Sequence, residues 1–409
     1  MQIPRAFAQL TLVATLAATL IAVPSCAPRS TGVQARLDAN KRYELTTSLV
    51  SFDQAKQAFE SGELDKARKE CETAIARSST QAKYWSLLGR IELEAKKLER
   101  AVNAFAKSIE CDPTLAEPFY YRGIVQQRWG AFAKATEDYL KASELAPDKV
   151  SYLLAAAEIM ITERKLDDAR VLLLPKLAYF EHNAAIHELL GEIALMNDDF
   201  TTAARSYERA IIIDPEAPLV AEKLVSAYFS AGEYQKCLEA ARRQRSIAAK
   251  DANGQRVVVP NEVFRNEGRS LAMLGRMSDA RAVFVEQSRV YPEDADCWRD
   301  LATAALASND VPRAAQASER LVALSADDSS GYTLCGIVAE REQKYDEAVR
   351  WHRLAVARAP TNVDTLIALG VALQSAGRQQ ESLEVLGKAI KLDPQSALAR
   401  KAFAGAVVE

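Results

Sequence analysis

The sequence has few of the residues on which catalytic and metal sites depend. Only three histidines occur among 409 residues, His182, His187 and His352, and no histidine or cysteine spacing matches a metal site. The chain has no G-x-S-x-G nucleophile elbow, no phosphate-binding loop and no H-E-x-x-H pair. We therefore expect a protein that is not an enzyme, with no cofactor, no bound metal and no small-molecule substrate.

The chain also lacks an excess of either charge and is poor in glycine and proline. Its 52 basic and 55 acidic residues give a formal net charge of -3, which excludes the basic footprint of a nucleic-acid-binding protein. With 16 glycines and 14 prolines, a long disordered region is not expected. The hydrophobic content of 49% is sufficient for a continuous core.

A pattern of 34 residues recurs along most of the chain. Repeats begin at 48, 82, 116, 150, 184 and 218, and again at 261, 295, 329 and 363. Position 8 of the unit is glycine or alanine in nine of the ten copies, Val225 being the exception, and position 20 is usually small. Positions 4, 11, 17 and 24 carry mostly large apolar groups, and position 32 is often proline. Self-similarity at a fixed period of this size indicates stacked helix pairs.

These units resemble the tetratricopeptide repeat, a helix-turn-helix whose small residues let its two helices lie close together. The resemblance implies an all-α, right-handed α-solenoid of about ten helix pairs, in which neighbours bury one another's apolar faces. Repeats 1–6 would occupy 48–251 and repeats 7–10 would occupy 261–396. The 43-residue step between 218 and 261 leaves an insertion at 252–260. Residues 397–409 would form a C-terminal capping helix.

Three segments depart from the regular unit. Pro175 lies inside the second helix of repeat 4 and predicts that this helix breaks, with Tyr179 and Phe180 packing as a separate turn. The insertion at 252–260 is either a loop that touches a partner or a spacer between two stacks. The final segment carries three apolar residues expected to cover the last repeat: Leu398, Phe403 and Val407.

The histidines and cysteines fall mainly on packing positions. His187 and His352 stand at positions 4 and 24, where partly buried imidazoles are expected. Cys71, Cys237 and Cys335 stand at core-facing positions and are expected to be small buried hydrophobic groups. Five cysteines remain when the first is set aside, and the sequence cannot assign a disulfide among them.

The N-terminus reads as an export signal. Residues 1–25 are largely apolar and end in a motif that resembles the lipobox of bacterial lipoproteins: Val23-Pro24-Ser25-Cys26. The resemblance implies lipidation of Cys26, with 26–47 as a tether. The protein would then lie in the cell envelope, lipid-anchored and facing the periplasm. Ala27 favours sorting to the outer membrane, and the alternative is an uncleaved helix in the inner membrane.

In this family, ligands usually lie along a concave face formed by positions 2, 5, 9 and 12. Read from the sequence, these positions define an apolar strip consisting of Phe52, Lys56, Phe59, Arg90, Tyr120, Ile124, Leu154 and Ile161. They also define an acidic zone consisting of Glu158, Glu188, Glu192 and Glu222. A third zone, basic on balance, consists of Glu262, Arg265, Arg269, Asp296 and Arg299. The alternative is a solvated inner face with scattered charges.

These features predict a membrane-tethered scaffold that binds a protein or peptide partner in the bacterial cell envelope. No position 9 carries asparagine, so the carboxylate-clamp class that binds chaperone tails is not supported. The alternative function is a non-catalytic accessory subunit that presents substrate to an envelope enzyme, such as a glycosyltransferase or a peptidase.

Overall fold

In the computed structural model, residues 32–247 and 258–408 are described, and every regular element in these ranges is helical. The predicted signal peptide, the lipidation residue Cys26 and most of the insertion at 252–260 lie outside the described residues. The chain divides into two compact units, Met1–Pro147 and Asp148–Glu409. The all-α prediction is confirmed, as is the count of ten helix pairs followed by a capping helix.

The first unit contains three helix pairs. They are α1 (Gly32–Glu60) with α2 (Leu64–Arg77), α3 (Ala82–Glu94) with α4 (Leu98–Cys111), and α5 (Ala116–Arg128) with α6 (Phe132–Leu145). Each helix packs against the next one along the chain.

The second unit contains seven helix pairs and the cap. The first four pairs are α7 (Val150–Thr162) with α8 (Leu166–Leu173), α9 (Ala184–Met196) with α10 (Phe200–Ile213), α11 (Pro218–Ser230) with α12 (Tyr234–Ile247), and α13 (Asn261–Met273) with α14 (Met277–Val290). The last three are α15 (Ala295–Ala307) with α16 (Val311–Leu324), α17 (Ser329–Arg341) with α18 (Tyr345–Arg358), and α19 (Val363–Ser375) with α20 (Gln379–Leu392). The cap is α21 (Ala397–Val408).

The turn inside every pair has one residue in the left-handed region, always at position 15 of the repeat. In five repeats this residue is glycine, as at Gly130 with φ of 72°. In the other five it is a residue with a side chain, as at Lys96 with φ of 59°. A left-handed residue just after a helix lets backbone amides bond the last free carbonyls, which ends the first helix sharply. The amide of Gly130 donates to the carbonyl oxygen of Gln127 at 2.9 Å.

The contact that sets each pair joins position 8 of the first helix to position 24 of the second. A Cβ added to Gly123 would lie 2.6 Å from Cε1 of Tyr139, so no larger residue fits under this ring. The same contact occurs in five other repeats: Gly89 with Phe105, Gly191 with Tyr207, Gly268 with Phe284, Gly336 with His352, and Gly370 with Leu386.

Repeat 6 is the one repeat without a small residue at position 8. It has the larger residue at position 8 and the smaller residue at position 24. Val225 stands at position 8 of repeat 6, and Ala241 stands at position 24; both are buried. Because interiors are close-packed, a larger group on one helix requires a smaller one opposite. Val225 therefore fits the repeat through a compensating partner.

Pro175 ends the second helix of repeat 4, as predicted. Helix α8 has eight residues where the corresponding helices have fourteen, and a short 3-10 turn, Leu174–Lys176, follows it. The prediction that Tyr179 and Phe180 pack as a separate turn is only partly correct. Tyr179 is 68% exposed and makes an edge-on ring contact with Phe180 at 4.7 Å, because the helix that would carry it inward has already stopped.

Of the three residues predicted to cover the last repeat, Phe403 does so, whereas Leu398 and Val407 do not. Leu398 and Val407 are 66% and 62% exposed, whereas Ala399 and Ala406 are buried. Phe403 is partly buried on the same face. Residues 399, 403 and 406 follow the three- and four-residue spacing of one helix face, so the small side chains let the cap lie close.

The described part of the predicted tether, residues 32–47, is the beginning of helix α1. A helix advances by about 1.5 Å per residue, so this part is shorter and stiffer than an extended chain. Within residues 32–247 and 258–408, no helix is both long enough and apolar enough to cross a bilayer.

The position-8 contact predicts a large effect of overpacking in repeat 3. Gly123→Leu would force its side chain into the ring of Tyr139 and should lower the free energy of unfolding by roughly 1–3 kcal/mol. Urea denaturation followed by helical circular dichroism measures this change.

Gly405→Leu is the matched control, because a Cβ on Gly405 meets no atom within 4 Å. This variant should unfold like the unchanged protein or slightly later, since leucine favours helix over glycine. Equal destabilisation by both substitutions would contradict the contact.

Candidate partner-binding surface

In the first unit, the apolar strip is organised around Arg90. Its guanidinium carbon lies 5.1 Å from the ring centroid of Phe59 and 5.2 Å from that of Tyr121. The same guanidinium donates to Oε1 of Glu117 at 3.0 Å. Cation–π contacts on two sides and one charged hydrogen bond hold the side chain in a single position. The strip therefore presents an ordered cation between aromatic groups.

The other strip residues of the first unit remain partly accessible. Phe52, Phe59, Tyr120 and Ile124 are half-buried, and Lys56 is exposed. The ring of Phe52 stacks on Tyr84 with centroids 4.7 Å apart, so this aromatic group is also held in place.

Leu154 and Ile161 belong to the second unit. Leu154 is half-buried. Ile161 is only 4% exposed, and the structure places it in the core instead of on a surface. Position 12 therefore does not face solvent in every repeat.

A second regular contact joins neighbouring repeats: position 9 of one repeat meets position 6 of the next. Four pairs are polar or aromatic: Arg90 with Tyr121, Glu192 with Lys223, Ser226 with Asn266, and Arg269 with Asp300. The Nε of Arg269 donates to Oδ2 of Asp300 at 2.8 Å, and Nδ2 of Asn266 donates to Oγ of Ser226 at 3.1 Å. Position 6 thus decides whether a charge at position 9 is paired within the chain.

The acidic zone contains one internal cation. Nζ of Lys223 lies 2.9 Å from Oε1 of Glu188 and 3.7 Å from Oε2 of Glu192. Sequence reasoning missed Lys223, because position 6 was not among the positions assigned to the concave face. Glu222, at position 5, has a pKa raised by burial and by the charge of Glu262.

Glu222 and Glu158 are the two carboxylates of this zone that form no ion pair with a described residue, and Glu158 is the one at position 9 of its repeat. The following repeat has Leu189 at position 6, which is buried and cannot pair with a charge. Across the described part of the chain, no lysine, arginine or histidine forms an ion pair with Glu158. Its carboxylate stays accessible, yet desolvation by surrounding protein atoms raises its pKa, and the charges of Glu192 and Glu188 add to the shift.

Tyr207 packs against α9 at Gly191, the residue next to Glu192. Its ring rests on Gly191, where an added Cβ would be 2.7 Å from Cε1, and the residue is fully buried. Its hydroxyl has no hydrogen-bond partner. Burial raises the pKa of Tyr207, and the charges of Glu192 and Glu188 raise it further, so the phenol is neutral.

The equivalent tyrosine of repeat 3 shows where this hydroxyl points. Tyr139 donates through its hydroxyl to Oε1 of Gln127 at 2.8 Å, and Gln127 stands at position 12. In repeat 9, Nε2 of His352 likewise lies 3.2 Å from Oε1 of Glu340, again at position 12. In repeat 5, position 12 is Leu195, which offers no polar atom. The hydroxyl of Tyr207 therefore lacks the position-12 acceptor that Tyr139 has in repeat 3.

The third zone is not basic on balance, contrary to the prediction. Arg265 pairs with Glu262 and with Asp294, and Arg269 pairs with Asp300. Arg299 in turn pairs with Asp296 and with Asp328, the latter at 2.8 Å. The prediction failed because Asp294, Asp300 and Asp328 stand at positions 34 and 6, outside the four positions considered. Each arginine is neutralised within the chain.

The packing roles predicted for histidine and cysteine are confirmed. His352 is fully buried on Gly336, and His187 is partly buried. Four cysteines are buried free thiols: Cys71, Cys237, Cys297 and Cys335.

An apolar cavity of about 750 Å³ lies in repeats 5 and 6, at positions that sequence reasoning did not consider. Ile211, Leu224 and Ala240 line it from α10, α11 and α12, and Val258 and Pro260 close one side. The last two residues belong to the insertion at 252–260. The longer step in the repeat spacing, from 218 to 261, is therefore the sequence feature that could have indicated this cavity.

Comparison with known proteins identifies the repeat. The family model described as the tetratricopeptide repeat matches residues 52–116, 154–218, 265–330 and 299–363, and a second model of that description matches 363–396. Together these matches cover more than half of the chain. A comparison with curated protein sequences found no match.

Several solved structures are similar in fold at low identity. One is a tetratricopeptide repeat protein from Parabacteroides merdae, 13% identical, with 63% of this chain and 99% of that one covered and a TM-score of 0.43. Another is YrrB, described as having an unusual peptide-binding site, 20% identical, with 49% and 98% covered and a TM-score of 0.41. A third is MamA from Desulfovibrio magneticus, 16% identical, with 44% and 98% covered and a TM-score of 0.40.

Proposed function

The chain belongs to the tetratricopeptide repeat family, and on that premise we propose that it is a non-catalytic scaffold that binds a protein or peptide partner. The observation that carries the proposal is the ordered and accessible surface around Arg90. Phe59 and Tyr121 hold its guanidinium, and both rings stay partly exposed. Aromatic groups and arginine supply most of the binding energy at protein interfaces.

The partner of this surface would be an extended or helical segment with apolar side chains and an acidic group. Phe52, Tyr120 and Ile124 would contact apolar side chains, and exposed Lys56 would attract a carboxylate. The following repeat has Leu87 at position 6, so Lys56 has no ion pair with any residue that the structure describes. Charges of this kind set register and orientation more than affinity.

The scaffold would be held at a membrane of the bacterial cell envelope through lipid on Cys26. The leader at 1–25 and the lipobox-like motif support this placement, and Ala27 favours the outer membrane. The exposed start of α1, residues 32–47, would act as a helical spacer about 24 Å long between the membrane and the first repeat.

Crosslinking in the native cell tests partner binding. A photoreactive phenylalanine analogue in place of Tyr120 should give a crosslinked product with a partner protein, identified by mass spectrometry. The same analogue in place of exposed Lys107, on the second helix of repeat 2, should not. Equal capture from both positions, or capture from Lys107 alone, would contradict a partner bound along the inner positions.

Membrane attachment through Cys26 is tested by Cys26→Ser, which removes the thiol that would carry the lipid. The variant should move from the membrane fraction to the soluble fraction on cell fractionation. Cys111→Ser, a change at an exposed cysteine elsewhere, should leave the protein in the membrane fraction. If Cys26→Ser stayed fully membrane-bound, the lipid anchor would be wrong and an uncleaved N-terminal helix would be favoured.

A further inference from the structure

The apolar cavity of repeats 5 and 6 lies at positions where other repeats carry larger side chains. Ala221 and Ala240, at positions 4 and 23 of repeat 6, both line it. In repeat 9 the same two positions are Tyr332 and Trp351, whose ring centroids are 6.3 Å apart. Repeat 6 is the only one of the ten repeats with alanine at both positions. The cavity is therefore explained by two small residues that stand together where every other repeat has at least one larger one.

The aromatic side chain at position 4 makes a recurring hydrogen bond. Nε1 of Trp85 donates to the carbonyl oxygen of Ser79 at 2.7 Å, and Nε1 of Trp298 donates to that of Pro292 at 2.8 Å. The hydroxyl of Tyr332 donates to the equivalent carbonyl of repeat 8 at 3.0 Å. All three acceptors stand at position 32 of the preceding repeat. A ring with an N–H or O–H group is thus the usual occupant of this place.

Repeat 6 keeps the position of the acceptor but lacks the ring. Pro215 stands at position 32 of repeat 5 and lines the cavity, whereas Ala221 offers neither a ring nor a donor. A cavity of roughly 150 Å³ holds a benzene ring. The volume here, about 750 Å³, therefore has room for an indole and for apolar groups beside it. Ile211, Leu224 and Val258 give it the apolar wall that such a ring requires.

The chain has no tryptophan of its own in repeats 5 and 6. Its four tryptophans belong to repeats 2, 3, 8 and 9: Trp85, Trp129, Trp298 and Trp351. Residues 248–257, which precede Val258, include no aromatic residue. An indole that fits this cavity therefore comes from another molecule.

We propose that the cavity binds a tryptophan side chain of the partner protein, whose indole N–H donates to the carbonyl oxygen of Pro215. The inference rests on the proposed function and specifies one residue of the partner. Exposed Glu216, Glu239 and Arg243 also line the cavity, and they would contact the residues on either side of that tryptophan. Tryptophan is among the residues that contribute most to a protein interface when it fills a desolvated pocket.

Fluorescence anisotropy with the full chain tests the site. The probe is a labelled, end-blocked pentapeptide with one tryptophan among four alanines, and its control has alanine in place of tryptophan. The tryptophan peptide should bind at least about tenfold more tightly, because burial of an aromatic side chain is worth more than one tenfold step in affinity. Equal binding of the two peptides would overturn the inference.

Ala221→Trp fills the cavity from within the chain. Repeats 2 and 8 already combine tryptophan at position 4 with alanine at position 23, so the fold accepts this pair. The variant should bind the tryptophan peptide no better than the alanine peptide, while its midpoint of thermal unfolding stays equal or rises. Ala404→Trp, the same substitution at an exposed position of the capping helix, should leave the affinity unchanged. Full affinity in Ala221→Trp would contradict the site.

A peptide with naphthylalanine in place of tryptophan tests the hydrogen bond. Naphthylalanine has a fused ring of similar size but no N–H group, so this peptide should bind several-fold more weakly than the tryptophan peptide. Equal affinity would contradict the contact with Pro215.

Two further results would indicate a different occupant and overturn the inference. One is tighter binding of free indole than of the tryptophan peptide, which would indicate a small-molecule ligand. The other is a dimer in sedimentation equilibrium that Ala221→Trp abolishes, which would indicate a second copy of the chain. Either result could coexist with a crosslinked partner at Tyr120, so this site could fail while the scaffold function stands.

Discussion

The structure depends on one steric contact: the residue at position 8 of a repeat lies beneath the side chain at position 24, and in six of the ten repeats position 8 is glycine. Where position 8 is glycine, the side chain above is large, as in Gly123 with Tyr139. Where position 8 is valine, the residue above is Ala241. Where one of the two residues is large, the other is small, as expected of a close-packed interior.

A second contact, between repeats, shapes the binding surface. Position 9 of one first helix meets position 6 of the next in four polar or aromatic pairs. Arg269 and Glu192 are paired by this geometry, whereas Glu158 is not, and the difference is one leucine at position 189. The neighbouring repeats therefore decide which inner charges are paired within the chain and which are available for a partner.

Local sequence patterns predicted the elements well, because each depends on residues close in the chain. The break after Leu173 follows from Pro175, and the ten helix pairs follow from the 34-residue period. The surface was less predictable, since the charge at one position does not reveal its partner 27 to 35 residues away in the sequence. Arg265 and Arg299 predict a basic zone from the sequence, but Asp294 and Asp328 lie beside them in the structure and neutralise them.

The most direct measurement of the central contact is a double-mutant cycle in repeat 6. Ala241→Phe alone should destabilise the protein by roughly 1–3 kcal/mol, because Val225 occupies the space that glycine leaves under Phe105. With Val225→Gly added, the phenylalanine should find that space, and the coupling free energy from urea denaturation should be favourable by about 1 kcal/mol or more. Additive effects of the two substitutions would contradict the account.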